Sequence, residues 1–459
     1  RSMRAATYKA FLSIALFVCG CLPDTNGIDP PLDELIFPVG MVTTNDASRL
    51  LVVNSNFDLE YNSGTLTALD VSDLEGAIGP ETAEVSPDGQ YVFIDASSLI
   101  LEDETIRVGA FASDLALSPA GDRAMVPVRG ERAILLVDVG DPAGGDLLDC
   151  GEGDDRRCDS AHRIESNDQH TLPIEPYEVA AMDVVEPTSG ETTTLGFATH
   201  LAGGEVSLFV IRDGAAAGQH TGELIDVLGG VVREASGIAV NPTSGEIYVA
   251  GRSQEARVAV LEVYTDGVTG QYSSNPFFYQ TSHFDIGAEM YAGTDARGVA
   301  VSADGESVFV ATRTPAALLE LDASGHEFVD MTSVCTDPSV VELYVHPGQS
   351  ASASDDTTYA LVLCFLTGQV FVVDTELMMV SAVQAVGSGP HSIAVDEARR
   401  RAFVANFSES TISVFQLEPP FFDLMRYEPA EGDWLYDPDD PGRSYIVKIG
   451  TPRFAKGRD

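Results

Sequence analysis

His391-Ser392-Ile393-Ala394-Val395, then a polar turn, Ala402-Phe403-Val404-Ala405-Asn406, a second turn, and Ile412-Ser413-Val414-Phe415: this stretch reads as short strands joined by tight turns. The apolar runs are rich in β-branched and aromatic residues and too short for helices, and turn chemistry returns every ~8 to 12 residues. Moving outward, the pattern recurs. Ser236-Gly237-Ile238-Ala239-Val240 is followed by Ile247-Tyr248-Val249-Ala250-Gly251 and Val258-Ala259-Val260-Leu261, with Asn241-Pro242-Thr243-Ser244-Gly245 as the first turn. Arg297-Gly298-Val299-Ala300-Val301 precedes Val308-Phe309-Val310-Ala311-Thr312, and less regular copies begin at Pro38, Ala112, Pro176 and Pro338.

Seven copies of about 60 residues, each an antiparallel meander, call for radial closure, because each small sheet then buries its faces on its neighbours and leaves only short edges. The fold expected over residues 35–418 is an all-β propeller of seven four-stranded blades. An eighth is the alternative if residues 73–110, with Val85-Ser86-Pro87-Asp88-Gly89-Gln90-Tyr91-Val92-Phe93, form a degenerate blade; otherwise they add a hairpin to the first. Residues 419–459 form a C-terminal extension. Either its run Tyr445 to Ile449 or the segment Leu35 to Phe37 is expected against the strand near Ile412, completing the last blade.

The strand ends Phe403-Val404-Ala405-Asn406, Tyr248-Val249-Ala250-Gly251, Phe309-Val310-Ala311-Thr312 and Leu51-Val52-Val53-Asn54 resemble the YVTN family of propeller repeats. That resemblance covers nearly all of residues 35–418. It implies a fold shared with lactonase-like and surface-layer propellers, and it implies no single activity.

The chain has 459 residues, 71 acidic and 26 basic, a formal charge of −45, and 44% hydrophobic residues. So much apolar sequence describes a packed protein rather than a disordered polyanion. The charge disfavours nucleic acid, which is bound through basic surfaces that release counterions. At the start, Arg1, Arg4 and Lys9 precede the apolar run Ala10 to Val18, which is shorter than the about 20 residues of a membrane-crossing helix but suits a secretory leader. Val18, Gly20 and Cys21 resemble a bacterial lipobox, which implies a leader over residues 1–20, lipidation of Cys21, a tether over 21–34 and a membrane anchor. Leu22, where a retention Asp would sit, points to the outer membrane. Export makes disulfides the expected state of the remaining cysteines, paired Cys150 with Cys158 and Cys335 with Cys364. The sharper alternative for the first pair is a Cys2His2 metal site with His162 and His170, whose spacing matches no common zinc module.

In a meander the first strand begins on the face where the second ends. One mouth of the channel should therefore gather Val39, Ser113, Tyr177, Ser236, Arg297, Ser339 and His391, with Asp114 and Glu178 one position later. Just past the second strands, Ser55, Arg129, His200, Arg252, Arg313 and Phe407 should join them. Arginine suits bidentate capture of a carboxylate or phosphate, so Arg129, Arg252, Arg297, Arg313 and Tyr177 are candidate ligand-binding residues. The plainer reading is that each arginine ties neighbouring blades through a carboxylate. His391, Glu178 and Asp114 are candidate catalytic groups, although a lone His at a turn is more often a hydrogen-bonded structural residue. Asn54, Asn56, Asp58 and Glu60 place oxygens at alternate positions, as a calcium ion would use them; the same alternation describes an edge strand with Phe57, Leu59 and Tyr61 inward.

No Gly-x-Ser-x-Gly elbow, His-Glu-x-x-His, phosphate loop or haem-attachment motif is present in the sequence. The expectation is therefore a non-catalytic, monomeric, envelope-anchored module that binds a protein, a glycan or a small anionic ligand. A lactonase-like hydrolase working at the channel mouth is the alternative.

Overall fold

A computed structural model describes residues 27–451 apart from 141–146, 152, 186–189, 191, 214–219, 254, 256, 265–275, 288–293, 349–355 and 421. The expected leader, residues 1–20, and Cys21 lie outside the described residues.

The Val-rich runs are strands, and successive strands pair antiparallel. The innermost strands are Pro38–Thr43, Ala116–Leu117, Pro176–Val185, Ala235–Val240, Ala296–Val301, Pro338–His346 and Pro390–Asp396. Each lies beside the next, and Pro390–Asp396 returns to pack on Pro38–Thr43, so the sheets surround a common axis. The chain is an all-β propeller with antiparallel four-stranded blades. The second sheet departs from that plan, since Leu148–Asp149 and Arg163–Ile164 both pair with Ala133–Val139.

Radial closure explains why strands such as Ile247–Gly251 are buried on both faces. Ile247 and Val249 join the core shared with the preceding sheet, around Phe197 and Leu208. Tyr248 and Ala250 join the core shared with the following one, around Val310 and Leu319. Every such junction has its own apolar cluster, so stability is distributed around the ring.

At its centre the inner strands approach closely. A Cβ added to Gly237 would sit 2.1 Å from the carbonyl oxygen of Arg297, and one on Gly40 would meet the Leu115 nitrogen at 2.6 Å. Only glycine fits where neighbouring backbones come so near.

In the closing region one expectation is corrected and one of two alternatives is borne out. Residues 83–94 form neither an eighth blade nor a hairpin on the first sheet: Tyr91–Ile94 runs parallel to Tyr445–Gly450 and extends the last sheet. The reason is packing, because Val92 and Ile94 share a buried cluster with Ile412, Val414, Val447 and Ile449. Of the two candidates for completing the last blade, Tyr445–Gly450 pairs with Thr411–Gln416, with Ile412 opposite Ile449. Residues 27–34 precede the first sheet, where Asp29 forms an ion pair with Arg107 at 2.9 Å.

Candidate functional site

One backbone hydrogen bond recurs at the same end of every blade. The N–H of a residue at the end of the second strand donates to the carbonyl of a residue leading into the first: Ser55 to Phe37 (3.1 Å), Arg129 to Phe111 (3.2 Å), Leu201 to Glu175 (3.1 Å), Arg252 to Glu234 (3.3 Å), Arg313 to Asp295 (2.9 Å), Phe365 to Asp337 (3.2 Å) and Phe407 to Gly389 (2.9 Å). This register defines which side chains are equivalent. Just inside it, the first strand carries a bulge, seen as a register break at Pro38/Gly40, Pro176/Val179, Ala235/Ile238, Ala296/Val299, Pro338/Val340 and Pro390/Ser392. A bulge re-aims side chains, and consecutive residues such as Tyr177 and Glu178 both line the central cavity, whose volume is about 940 Å³.

That cavity brings together Arg129, Arg252, Arg297, Arg313, Tyr177, His391, Glu178 and Asp114. Arg129 Nη2 reaches Glu175 Oε1 at 3.3 Å, and Arg313 Nε reaches Asp337 Oδ1 at 2.6 Å. Each thus pairs with the acid that precedes the next blade, as the plainer reading expected. By the same register Arg252 would pair with Asp295. Asp295, however, is held by Arg297 of its own blade, Nε to Oδ1 at 2.7 Å and Nη2 to Oδ2 at 2.8 Å. Arg252 instead stacks over Tyr177, its guanidinium carbon 4.4 Å from the ring centroid. It makes no ion pair among the described residues, and its Nε is buried without a hydrogen-bond partner.

Acids line the same cavity as the arginines. Asp114 and Glu178 are half-buried and Glu342 is exposed to the cavity that all three line. Burial pushes the Asp114 carboxyl up to about 6 against hydrogen bonds from the Val179 and Leu115 N–H groups. Glu178 is held well above the usual range by burial and then by the Asp114 charge, opposed by Arg252 and Arg297. Glu342 rises to about 7 through burial and then through Glu397 and Asp114.

His391 sits where three other blades carry serine, and it does the same work as two of them. Ser113 Oγ donates to the Tyr177 carbonyl at 2.7 Å and Ser236 Oγ to that of Ala296 at 3.3 Å, each on the next blade. His391 Nδ1 lies 3.0 Å from the Val39 carbonyl oxygen, which makes Nδ1 the protonated nitrogen and leaves Nε2 as an acceptor. Burial lowers its pKa, so the imidazole is neutral near pH 7.

Opposite the arginines the rim is aromatic. Phe57 stands edge-on to Phe111 at 5.9 Å and to Phe407 at 5.3 Å; Phe407 also meets Phe37 at 5.1 Å and Phe365 at 6.2 Å. Phe57 is 52% exposed and Leu366 72% exposed.

The sequence reading missed Phe365, although it follows Cys364 as Phe407 follows Asn406, and it missed Glu342, Asp295 and Asp337. It also placed His200 at the mouth. His200 pairs opposite Pro176, one residue short of the equivalent Leu201, and is fully buried. Its Nδ1 faces the Ile174 carbonyl, and burial depresses its pKa to about 4. The calcium loop is likewise not an edge strand: Phe57 and Leu59 are exposed. Asn54 Oδ1 accepts from Ile36 N–H, Asn56 Oδ1 from Tyr61 N–H and Asp58 Oδ1 from Glu60 N–H, so three of the four proposed oxygens are turned to their own backbone partners. Cys150–Cys158 and Cys335–Cys364 are disulfides, which removes the thiolates that a Cys2His2 site would need. His162 faces Asp159 and Asp138 instead.

No family model matches the chain, and no curated protein matches it. Solved structures do. A protein from Lactobacillus plantarum matches at 14% identity over 77% of this chain and 85% of its own, TM-score 0.46. Saccharomyces cerevisiae Sqt1 matches at 10% identity over 93% and 96%, TM-score 0.48. The Cps50 (Swd1) β-propeller domain of Myceliophteria thermophila matches at 8% identity over 82% and 95%, TM-score 0.45.

Proposed function

We propose that this chain is an exported, seven-bladed propeller of the YVTN type, lipidated at Cys21 and held at the outer membrane, which binds a small anionic ligand at one mouth of its channel without turning it over. Seven inner strands that follow one another around the axis support the blade count. Two disulfides support an oxidising compartment. Anion binding is carried by one observation: Arg252 lacks the carboxylate that the equivalent arginines have, because Arg297 holds Asp295. An arginine stacked on a tyrosine and facing a cavity is poised for a carboxylate or phosphate, and the raised pKa values of the acids that line the same cavity lessen their repulsion of an anion. The test is calorimetric titration of the purified full chain with acetate and inorganic phosphate, before and after Arg252→Gln. Loss of binding in the variant supports the reading; binding that is indifferent to Arg252 overturns it. Labelling with an alkyne fatty acid, lost in Cys21→Ser, tests the anchor.

A second reading, a hydrolase opening lactone rings, draws on His391. Its neutral imidazole presents Nε2 as an acceptor to the cavity, and Glu178, whose pKa burial raises, lines the same cavity. Turnover of a lactone panel, with and without calcium, lost in His391→Ala and Arg297→Ala, would support it.

A further inference from the structure

The mouth is chemically divided. Arg129, Arg252, Arg297 and Arg313 occupy one arc, and Phe57, Phe111, Phe365 and Phe407 occupy the other, all lining the same cavity of about 940 Å³. We propose that the ligand is an amphipathic anion with a single acidic head, a carboxylate or phosphate ester bearing an aryl or alkyl body. Its head would be taken by Arg252 and its body laid across the phenylalanines around Phe57. The inference rests on the anion-binding reading above and adds the other half of the molecule.

Three observations carry it. The aromatic arc is built rather than incidental: Phe365 and Phe407 stand at the same register position as Arg129, Arg252 and Arg313, so the ring of equivalent residues changes from cationic to aromatic as it turns. Phe57 then adds a half-exposed ring against Phe37, Phe111 and Phe407. Leaving that much apolar surface wet at the rim of a cavity is unfavourable and marks a place where something apolar docks. Finally, only one arginine lacks a counterion among the four, which fits one anionic head better than several. The cavity is within the volume range of sites for small organic ligands.

The His391 imidazole lies at the seam, 5.8 Å from the Phe407 ring and 6.3 Å from that of Phe365. It is near enough to Arg252 and Arg313 that their charges help to depress its pKa. Its Nε2 acceptor favours a ligand that carries a hydroxyl or amide N–H between head and body, since a donor there would meet a fixed lone pair.

The experiment compares acetate with 4-phenylbutanoate and inorganic phosphate with phenyl phosphate, by calorimetry on the full chain, in wild type, Phe57→Ala and Arg252→Gln. Phe57 is half-exposed, so its loss leaves the cores intact. Each phenyl-bearing probe should bind at least about tenfold more tightly than its small partner, as burial of a ring predicts, and with a more negative heat-capacity change. Phe57→Ala should remove most of that advantage and leave acetate and phosphate unchanged, whereas Arg252→Gln should weaken all four. Equal affinity within each pair, or an advantage insensitive to Phe57, would overturn the amphipathic ligand and leave the anion site standing. No binding by any probe, or binding indifferent to Arg252, would overturn both.

Discussion

Arg297 holds Asp295 through two contacts, at 2.7 and 2.8 Å, and so occupies the carboxylate that the blade register assigns to Arg252. Among the arginines at the mouth this exchange decides which one is free. Arg129 and Arg313 are spent on Glu175 and Asp337 and act as ties between blades. A substitution at Arg297 or Asp295 should therefore change anion binding without either residue touching the ligand.

Asp295→Asn should tighten acetate and phosphate binding by about fivefold, since removing one negative charge a few ångströms from the site contributes roughly 1 kcal/mol in a well-solvated cavity. Arg297→Gln should do the reverse, releasing Asp295 to Arg252 and weakening binding. Parallel titrations of the two variants check the relationship. If both shift affinity in the same direction, Asp295 is not the switch.

His391 separates structure from chemistry. Because Ser113 and Ser236 make the equivalent inter-blade bond, His391→Ser should retain it and unfold near the wild-type urea midpoint. His391→Ala leaves the Val39 carbonyl without its donor and should lose about 1 kcal/mol. Were the protein a hydrolase using Nε2, both variants would be equally inactive whatever their stability.

Anion affinity should rise as pH falls from 8 to 5.5. Asp114 titrates at about 6 and Glu342 at about 7, so acidification removes negative charge from the cavity that the arginines line while a carboxylate ligand stays ionised. Asp114→Asn and Glu342→Gln should flatten the profile. Stability should follow the same sign: a carboxyl whose folded pKa is raised contributes fully below its unfolded value and loses that contribution as pH rises through the folded one. Glu342→Gln should thus raise the melting temperature at pH 8 and leave it unchanged at pH 4.

The repeat makes most of this ring legible in the sequence, because closure fixes where strand ends meet. Arg129, Arg252, Arg297, Arg313, Tyr177, Glu178 and His391 follow from strand order alone. His200 was misplaced by one residue at a bulged strand, where counting along the sequence no longer tells which side chain faces the axis. Glu342 was missed because it lies deeper, in a strand extended beyond the repeat to His346. The hairpin at 83–94 was unreadable for another reason: its partner is a parallel strand some 350 residues away, and no local pattern encodes such a pairing.

Loss of the Cys335–Cys364 disulfide should be felt at the mouth as well as in stability. The bond clamps the end of Thr357–Cys364 to the segment before Pro338–His346, next to Asp337, the partner of Arg313. Its 29-residue separation predicts about 3–4 kcal/mol from the unfolded chain's lost entropy. The paired Cys335→Ser, Cys364→Ser variant should lower the denaturant midpoint accordingly and weaken anion binding, whereas the Cys150, Cys158 pair, at the outer strands of the second sheet, should affect stability alone.

Completion of the last blade depends on one late strand. Tyr445–Gly450 lies between Thr411–Gln416 and Tyr91–Ile94, so it joins the last blade to a hairpin from near the start of the chain. Val447 and Ile449 are fully buried there against Val92, Ile94, Ile412 and Val414. Ile449→Ala should cost about 2–5 kcal/mol through lost burial and the cavity left behind. A chain ending at Gly442 loses Tyr445, Val447 and Ile449 together, about 5–8 kcal/mol of burial, which is comparable with the whole stability of an ordinary domain. Urea titration followed by circular dichroism should find the truncated chain unfolded without denaturant and the Ile449 variant folded with a lowered midpoint. A truncated chain that kept the wild-type midpoint would mean that the strand decorates the last blade rather than holding it together.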